Sequence, residues 1–592
     1  MNIRICFLPF LLIGFGILSN GLTQQTVSRV SPENAKVASE ISIAINPTNL
    51  NNIVAGSLVR GIPESTASNL SYFSFDGGKT WKSASVPNPD SRTQGDDVVL
   101  FSRDGTCAHA FISFVGLWET QPSKAANGIA LTRSTDGGQT WSEQVRVADH
   151  LNSKSPMEDK PWLIFDRTRS SPHYNNLYCS WTRFDVYGSK DPQDTSQIMF
   201  ARAPEGGKKF EPVIRISDNP GDCLDGDNTL EGAVPCVHPD GTVFVVWSGP
   251  RGLEIDQSND GGKTFGTDRV ILKTPGGWNS HVDGIDRHNG MPVTGVDHSF
   301  GPDRGSLYVN WIDERNTDKD VFVISSRDKG RTWSNPVRVN TDDQGRDQFF
   351  TWMAVDPIDG SINVVFYDRG ATTGTRTRLT LARSIDGGKS FQNVPVDFPE
   401  FDFPGTEFSN QNGLFFGDYI GIDAIRGRVA LAFMHYENKT KISVASAVMD
   451  FEPGTTELRA APPSAEQPEF ITVQHLLIAF DGSIPDESVT RTRDEAKQLA
   501  HDLFEQAKSG KDFDELVKEH TNDSHPGIYK MANFWSEADM APEATNEKVF
   551  PRALMVQAFG DTGFPLEVGE YGLAEYDATT SKYGWHIIKR IK

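Results

Sequence analysis

One eight-residue pattern recurs along this chain. Ser74-Phe75-Asp76-Gly77-Gly78-Lys79-Thr80-Trp81 returns as Ser134–Trp141, Ser258–Phe265, Ser326–Trp333 and Ser384–Phe391, with a decayed copy at Ala203–Phe210. A repeat of this kind means one supersecondary unit used many times, each burying its apolar face against its neighbours. Within the pattern the glycines accept positive φ. The Asp carboxylate can accept from backbone amides and from the Thr or Ser hydroxyl, and the closing Trp or Phe turns inward, so each copy reads as a tight hairpin.

Around each copy the same strand pattern repeats. A segment such as Asp159–Asp166 is followed by a β-rich stretch such as Leu177–Trp181 and then by the hairpin, which gives four strands per unit. First strands are expected at Ile41–Ala44, Val98–Phe101, Pro161–Phe165, Ala233–Val237, Pro292–Val296, Thr351–Val355 and Tyr419–Ile422. That is seven starts. The last unit has strands at Val429–Phe433 and Ile442–Val448 but no hairpin motif, so its outer strand is expected from residues near Thr26–Val30, closing a ring without exposed edges. The repeats resemble the Asp boxes of sialidase-type β-propellers. The resemblance implies an all-β propeller over 26–450 whose boxes are structural and lie away from the ligand face; the seven starts favour seven blades, with six, the usual sialidase number, as the alternative.

In propellers the ligand face gathers the residues that precede the first strands. Here these are often acidic: Glu40, Asp96, Asp97, Glu158, Asp159, Glu231 and Asp418. Arg60, Arg183, Arg251, Arg315 and Arg369 follow second strands. The sialidase resemblance would make three such arginines a clamp for a substrate carboxylate. Its N-terminal Arg-Ile-Pro signature, however, survives only as Arg60-Gly61-Ile62-Pro63, and local salt bridges explain the same residues. Asp222, Asp225 and Asp227 have oxygens at a spacing that could hold calcium but lack a full calcium-loop pattern, so a solvated turn is the competing reading.

The first residues carry Arg4, an apolar run from Ile5 to Leu18 and then small residues, which reads as a signal peptide over 1–23 and implies a secreted or periplasmic protein with no stable membrane span. Cys107, Cys179, Cys223 and Cys236 remain after its removal; Cys223 with Cys236 is the easiest pairing, buried free thiols the alternative, and the spacing does not suggest zinc. A net charge of -22 argues against a nucleic-acid partner.

Over 451–469 the strand pattern stops among Pro453, Gly454, Pro462, Pro463 and Pro468, which marks a linker. Beyond it Ala496, Leu499, Ala500, Leu503, Phe504 and Ala507 recur at helical spacing, and Phe513, Leu516 and Val517 continue on a second short helix. A strand at Ile471–Ile478, these helices, an irregular section, a helix near Leu554–Phe559 and a last strand at Gly584–Ile591 make a small α+β domain over 470–592.

That order resembles the parvulin (PpiC-like) peptidyl-prolyl isomerases. Gln474-His475-Leu476-Leu477-Ile478 is similar to the family's first strand with its active-site histidine, and Gly584-Trp585-His586-Ile587-Ile588 to its last strand with the second. Met555 and Phe559 match the proline-pocket Met and Phe, and Phe564-Pro565-Leu566-Glu567-Val568-Gly569-Glu570 matches the family's Phe-x-Leu-x-x-Gly-Glu. Two departures stand out: Tyr529–Asn533, before Phe534, replaces a Gly-Gly-Asp-Leu-Gly stretch, and extra residues separate Glu570 from His586. The resemblance implies catalytic roles for His475, Asp523 and His586, a substrate-binding cup of Met555 and Phe559 with Phe564 behind them, no cofactor, and proline-containing polypeptide clients. Asp523 as a plain turn residue is the alternative. For the whole chain three readings stay open: an extracytoplasmic isomerase with a propeller docking domain, a sialidase-like glycosidase, and a non-enzymatic binder of protein or glycan at the propeller channel.

Overall fold

The computed structural model describes residues 22–60, 68–116, 125–168, 171–299, 301–343, 345–406, 414–451, 468, 470–486, 488–533, 549–552, 555–577 and 580–592. The expected signal segment up to residue 21, Gly61-Ile62-Pro63, nearly all of the 451–469 linker, Phe534 and Leu554 lie outside the described residues. No helix among the described residues is long and apolar enough to cross a membrane.

The larger part is all-β. Its strands form antiparallel meanders of four, the first running Val37–Ile45, Ile53–Arg60, Ser68–Ser74 and Lys82–Ser85. Five more meanders begin at Thr93–Phe101, Met157–Phe165, Glu231–Val237, Val293–Val296 and Gln348–Val355. The last comprises Gly421–Ile425, Arg428–Asn438 and Lys441–Phe451, with Leu22–Arg29 as its outermost strand. That outer strand pairs antiparallel with Lys441–Phe451, Thr26 opposite Val448 and Arg29 opposite Ala445. Each first strand packs against the first strand of the next meander, and Gly421–Ile425 packs back against Val37–Ile45. The ring thus closes on itself, and its outer sheet edge is supplied by the beginning of the chain, as its sequence pattern anticipates.

The recurrent motif sits where it should for a hairpin, between the third and fourth strands. In the first copy Asp76 Oδ1 accepts from Ser74 Oγ at 2.8 Å, Lys79 N at 3.1 Å and Thr80 N at 2.9 Å, while Oδ2 accepts from Thr80 Oγ1 at 2.6 Å. The same bonds recur around Asp136, Asp260, Asp328 and Asp386. Gly78 has φ +83, and a Cβ there would meet Val448 Cγ2 at 2.6 Å, so glycine is required twice over. The box is also a clasp between units. Trp81 Nε1 donates to Ser28 Oγ at 3.0 Å and Ser446 Oγ at 3.1 Å, both in the last meander. The decayed copy keeps its left-handed turn at Glu205 and Gly206.

Five of the seven first strands begin earlier than expected from alternation, and each of the five carries a β-bulge. Register slips fall between Ser39 and Ser42, Gly95 and Val98, Asp159 and Trp162, Glu231 and Val234, and Phe349 and Trp352. At these slips Glu40, Asp96, Lys160, Gly232 and Phe350 adopt positive φ. An inserted residue breaks the period-two pattern on which a sequence-based boundary rests.

The C-terminal part is a five-stranded sheet in the order Val549–Pro551, Ile528–Ala532, Phe470–Ile478, Trp585–Arg590, Tyr571–Ala574. Two helices, Arg493–Lys508 and Phe513–His520, lie on one face, against Leu476, Ile478, Trp585 and Ile587. The first is closed by a capping box, Thr492 Oγ1 accepting from Glu495 N and Glu495 Oε2 from Thr492 N at 2.8 Å. The second starts at Asp512, whose carboxylate accepts from Asp514 N at 2.9 Å. The other face, with Ile471, Val473, Met531 and Ile588, carries the short helix Gln557–Gly563 through Phe559.

Candidate functional site

On that second face strand alternation brings the two histidines together. His475 is on Phe470–Ile478 and His586 on the adjacent antiparallel strand Trp585–Arg590, with Leu477 opposite His586. His475 Nε2 and His586 Nδ1 are 2.8 Å apart, the rings stacked at 19° with centroids 4.9 Å apart. Both rings are buried, 4% and 3% exposed. Asp523, in the turn after the second helix, brings Oδ2 to 3.6 Å from His475 Nδ1. At that distance it is an electrostatic contact, too long for a hydrogen bond.

The contact orients the pair. A carboxylate facing Nδ1 favours the proton on that nitrogen, so His475 Nε2 accepts and His586 Nδ1–H donates. Burial holds both imidazoles below their usual pKa, only partly opposed by Asp523, and for His586 the neighbouring His475 adds to the depression. Asp523 is held well below the usual carboxylate range by His475 and also by the Tyr529 hydroxyl, despite partial burial. The site is therefore a neutral imidazole pair beside a fixed anion.

Phe559 lies over this floor, its centroid 4.8 Å from His475 and 5.7 Å from His586. Met555 is half-buried in the same cluster. Phe564 is 0% exposed and closed off by the Arg552 guanidinium 4.7 Å above its ring, so it stands behind Met555 and Phe559 and contributes no surface of its own. It follows the C-terminus of the short helix, where its side chain turns into the core. A residue the sequence reading left without a role, Tyr529, completes the wall, 5.8 Å from both His475 and Phe559 and 5.3 Å from Phe550.

The propeller gathers a second polar group. Lys160, from one of the bulges, places Nζ 3.2 Å from Glu231 Oε1 and 2.9 Å from Asp418 Oδ2. Its backbone N donates to Asp96 Oδ2 and Asp159 Oδ1, both at 3.1 Å. Arg287 bridges Asp418 Oδ2 at 2.9 Å and Asp225 Oδ2 at 3.2 Å. Burial drives Glu40 up to about 7 and Asp96 and Asp159 up to about 8, with neighbouring carboxylates adding to the rise. Five of the acidic residues noted from sequence thus meet at one mouth of the ring. Asp97 and Glu158 do not join them: Asp97 is taken by His109 at 2.5 Å, and Glu158 by Trp181 Nε1 at 2.5 Å and Arg183 Nε at 2.9 Å. Beneath the mouth is a cavity of about 220 Å³ between the first strands, walled by residues such as Trp162, Trp352, Cys236 and Ile422.

The arginines do not converge into a clamp. Arg183 pairs with Glu158, Arg251 with Glu254 and Arg315 with Asp313, each within its own meander, while Arg369 lies over Phe349. The three carboxylates proposed for calcium also part company. Asp222 Oδ1 accepts from Thr229 Oγ1 at 2.8 Å, Asp225 Oδ2 from Tyr187 Oη at 2.7 Å and Asp227 Oδ1 from Asn279 N at 2.8 Å. No group of three or more His, Cys, Asp or Glu among the described residues is placed to hold a metal ion. Cys223 and Cys236 are buried free thiols in separate apolar clusters, not a bridge, because one lies in a loop behind Phe184 and the other on a first strand.

Residues 463–591 match the family described as the PPIC-type PPIase domain. No curated protein matches the chain. Among solved structures the chain is similar to a protein of unknown function from Dyadobacter fermentans, at 13% identity over 73% of this chain and 99% of that one, with a TM-score of 0.40. It is also similar to a GH93 α-L-arabinofuranosidase of Fusarium graminearum, at 13% identity over 73% of this chain and 98% of that one, TM-score 0.40. A Hadza microbial sialidase is similar at 15% identity over 72% and 93%, TM-score 0.37.

Proposed function

We propose that the chain is an extracytoplasmic peptidyl-prolyl cis–trans isomerase of the parvulin type, acting on proline-containing polypeptides that its propeller helps to dock. The observation that carries this is the His475–His586 pair at 2.8 Å under Phe559, within the segment that matches the PPIC-type family.

Rotation about an amide faces a barrier of ~18–20 kcal/mol, and no covalent bond need break to lower it. An enzyme must grip the proline ring and favour the twisted amide over the planar one. Phe559, Met555 and Tyr529 supply the apolar grip. The neutral histidine floor and the anion of Asp523 supply fixed dipoles beside the bond, which need no reorganisation as the amide loses its resonance. The expected signal sequence at 1–23 supports a place outside the cytoplasm.

For the ring we propose seven blades, from the meanders that pack in sequence, and a docking role at the mouth where Lys160, Glu231, Asp418 and Arg287 meet. A protein or glycan ligand that both donates and accepts hydrogen bonds fits a mouth where cations and carboxylates alternate. The test is isomerisation of a proline-containing tetrapeptide by the full chain. Acceleration above the spontaneous rate supports the reading, and its absence at micromolar enzyme contradicts it.

A further inference from the structure

The wall of the C-terminal site is formed by Tyr529. Its strand, Ile528–Ala532, runs antiparallel to Phe470–Ile478 with Tyr529 opposite Val473, so its side chain stands on the same sheet face as His475 two residues along. Its hydroxyl donates to Asp523 Oδ2 at 2.5 Å. That is the same oxygen that faces His475 Nδ1 at 3.6 Å. One carboxylate oxygen is therefore shared between a phenol that holds it closely and an imidazole kept beyond hydrogen-bond reach. Asp523 Oδ1 is occupied by Ser524 N at 2.8 Å, which leaves the carboxylate little freedom to turn.

We infer that Tyr529 is a positioning residue of the proposed isomerase site: its hydroxyl anchors Asp523 away from His475, and its ring forms the wall of the proline cup beside Phe559. The inference rests on the isomerase reading for its catalytic consequence and on the geometry alone for its electrostatic one.

The histidine pair needs one donor and one acceptor across 2.8 Å; a further proton on His475 Nε2 would set two N–H groups against each other and leave a cation in a buried site. A carboxylate free to close on His475 Nδ1 would favour that extra proton. By occupying Oδ2, Tyr529 keeps the anion present and weakens its pull. The titratable groups facing His475 are Asp523 from the turn, Tyr529 from the neighbouring strand and His586 from the other; the short helix contributes only the Phe559 ring. The wall role follows from the ring contacts, since Tyr529 touches His475, Phe559 and Phe550 at once.

The test separates the two roles in the full chain with Tyr529→Phe, which removes only the hydroxyl, and Tyr529→Ala, which removes the ring as well. For Tyr529→Phe, kcat should fall about tenfold, the scale on which outer partners tune a site, with KM unchanged, and the acid limb of kcat/KM should move to higher pH. Tyr529→Ala should raise KM in addition. A Tyr529→Phe enzyme with unaltered kcat and pH profile overturns the proposal, because a purely packing tyrosine tolerates that change. If the wild-type chain does not isomerise peptides, the isomerase reading fails and the electrostatic claim is still decided. The His475 Cε1–H resonance, assigned by its loss in His475→Gln, should then titrate at higher pH in Tyr529→Phe than in wild type, and an equal midpoint overturns it.

Discussion

His475 and His586 meet through Nε2 and Nδ1 at 2.8 Å across two adjacent strands, and no other described group supplies His586 Nε2 with a hydrogen bond. Burial disfavours a positive charge on either ring. Folding depresses their pKa values below the ordinary ~6.5 of the unfolded chain. The unfolded state thus binds more protons as the pH falls below that value, and folding stability falls with it.

The C-terminal unfolding transition should therefore weaken as pH drops from 7 toward 5, by up to about 1.4 kcal/mol per pH unit for each ring. Asp523, whose pKa is also depressed by folding, adds a further loss only at lower pH, below its ordinary ~3.8–3.9. Urea midpoints measured across this range check it. His586→Gln should flatten the slope above pH 5, and a pH-independent midpoint in the wild type would contradict the neutral pair.

The propeller should respond in the opposite sense. Glu40, Asp96 and Asp159 titrate near 7 to 8 in the fold, far above their values in the unfolded chain. Groups raised in this way favour the fold at low pH and lose that contribution as pH rises through 7 to 8. The propeller transition should lose stability from about pH 5 up to about pH 8 and level off above, by at most about 1.4 kcal/mol per pH unit for each group. Asp96→Asn, a neutral substitute for the protonated acid, should reduce the slope. Differential scanning calorimetry of the full chain checks both statements.

Removing a box carboxylate should cost stability without touching the chemistry. In Asp260→Ala the amides of Lys263 and Thr264 lose an acceptor now at 3.0 Å, and the Thr264 hydroxyl loses one at 2.6 Å. The turn is largely solvated, so water recovers part of the loss and about 1 kcal/mol is expected. Thermal denaturation reads the change, while peptide isomerisation should remain at the wild-type rate.

The boxes were legible in sequence because each is a local turn whose glycines, aspartate and hydroxyl lie within eight residues. The closing strand near Thr26–Val30 was legible because a missing outer strand had one plausible donor. The mouth of the ring was half legible. Glu40, Asp96, Asp159, Glu231 and Asp418 could be placed before first strands, but their shared partners Lys160 and Arg287 depend on contacts between distant units. The bulges that aim Glu40, Asp96 and Lys160 left no period-two signal. In the C-terminal part, resemblance located His475, His586, Met555 and Phe559. It could not locate Tyr529, which stands where the family pattern has glycine. The strands Ile528–Ala532 and Tyr571–Ala574 were missed because each is short and borders residues that break alternation.

Whether the His475–His586 site turns over prolyl bonds is read from kcat/KM for a proline-containing tetrapeptide, measured for the full wild-type chain and for the double variant Phe559→Ala, His586→Ala. Truncating the buried Phe559 is expected to cost about 3–5 kcal/mol of local stability, so circular dichroism must first show the variant folded at the assay temperature. The wild type should accelerate isomerisation clearly and the folded double variant should lose at least roughly 100-fold, two buried groups at the reacting bond being removed together. Equal acceleration by the wild type and the double variant would contradict it.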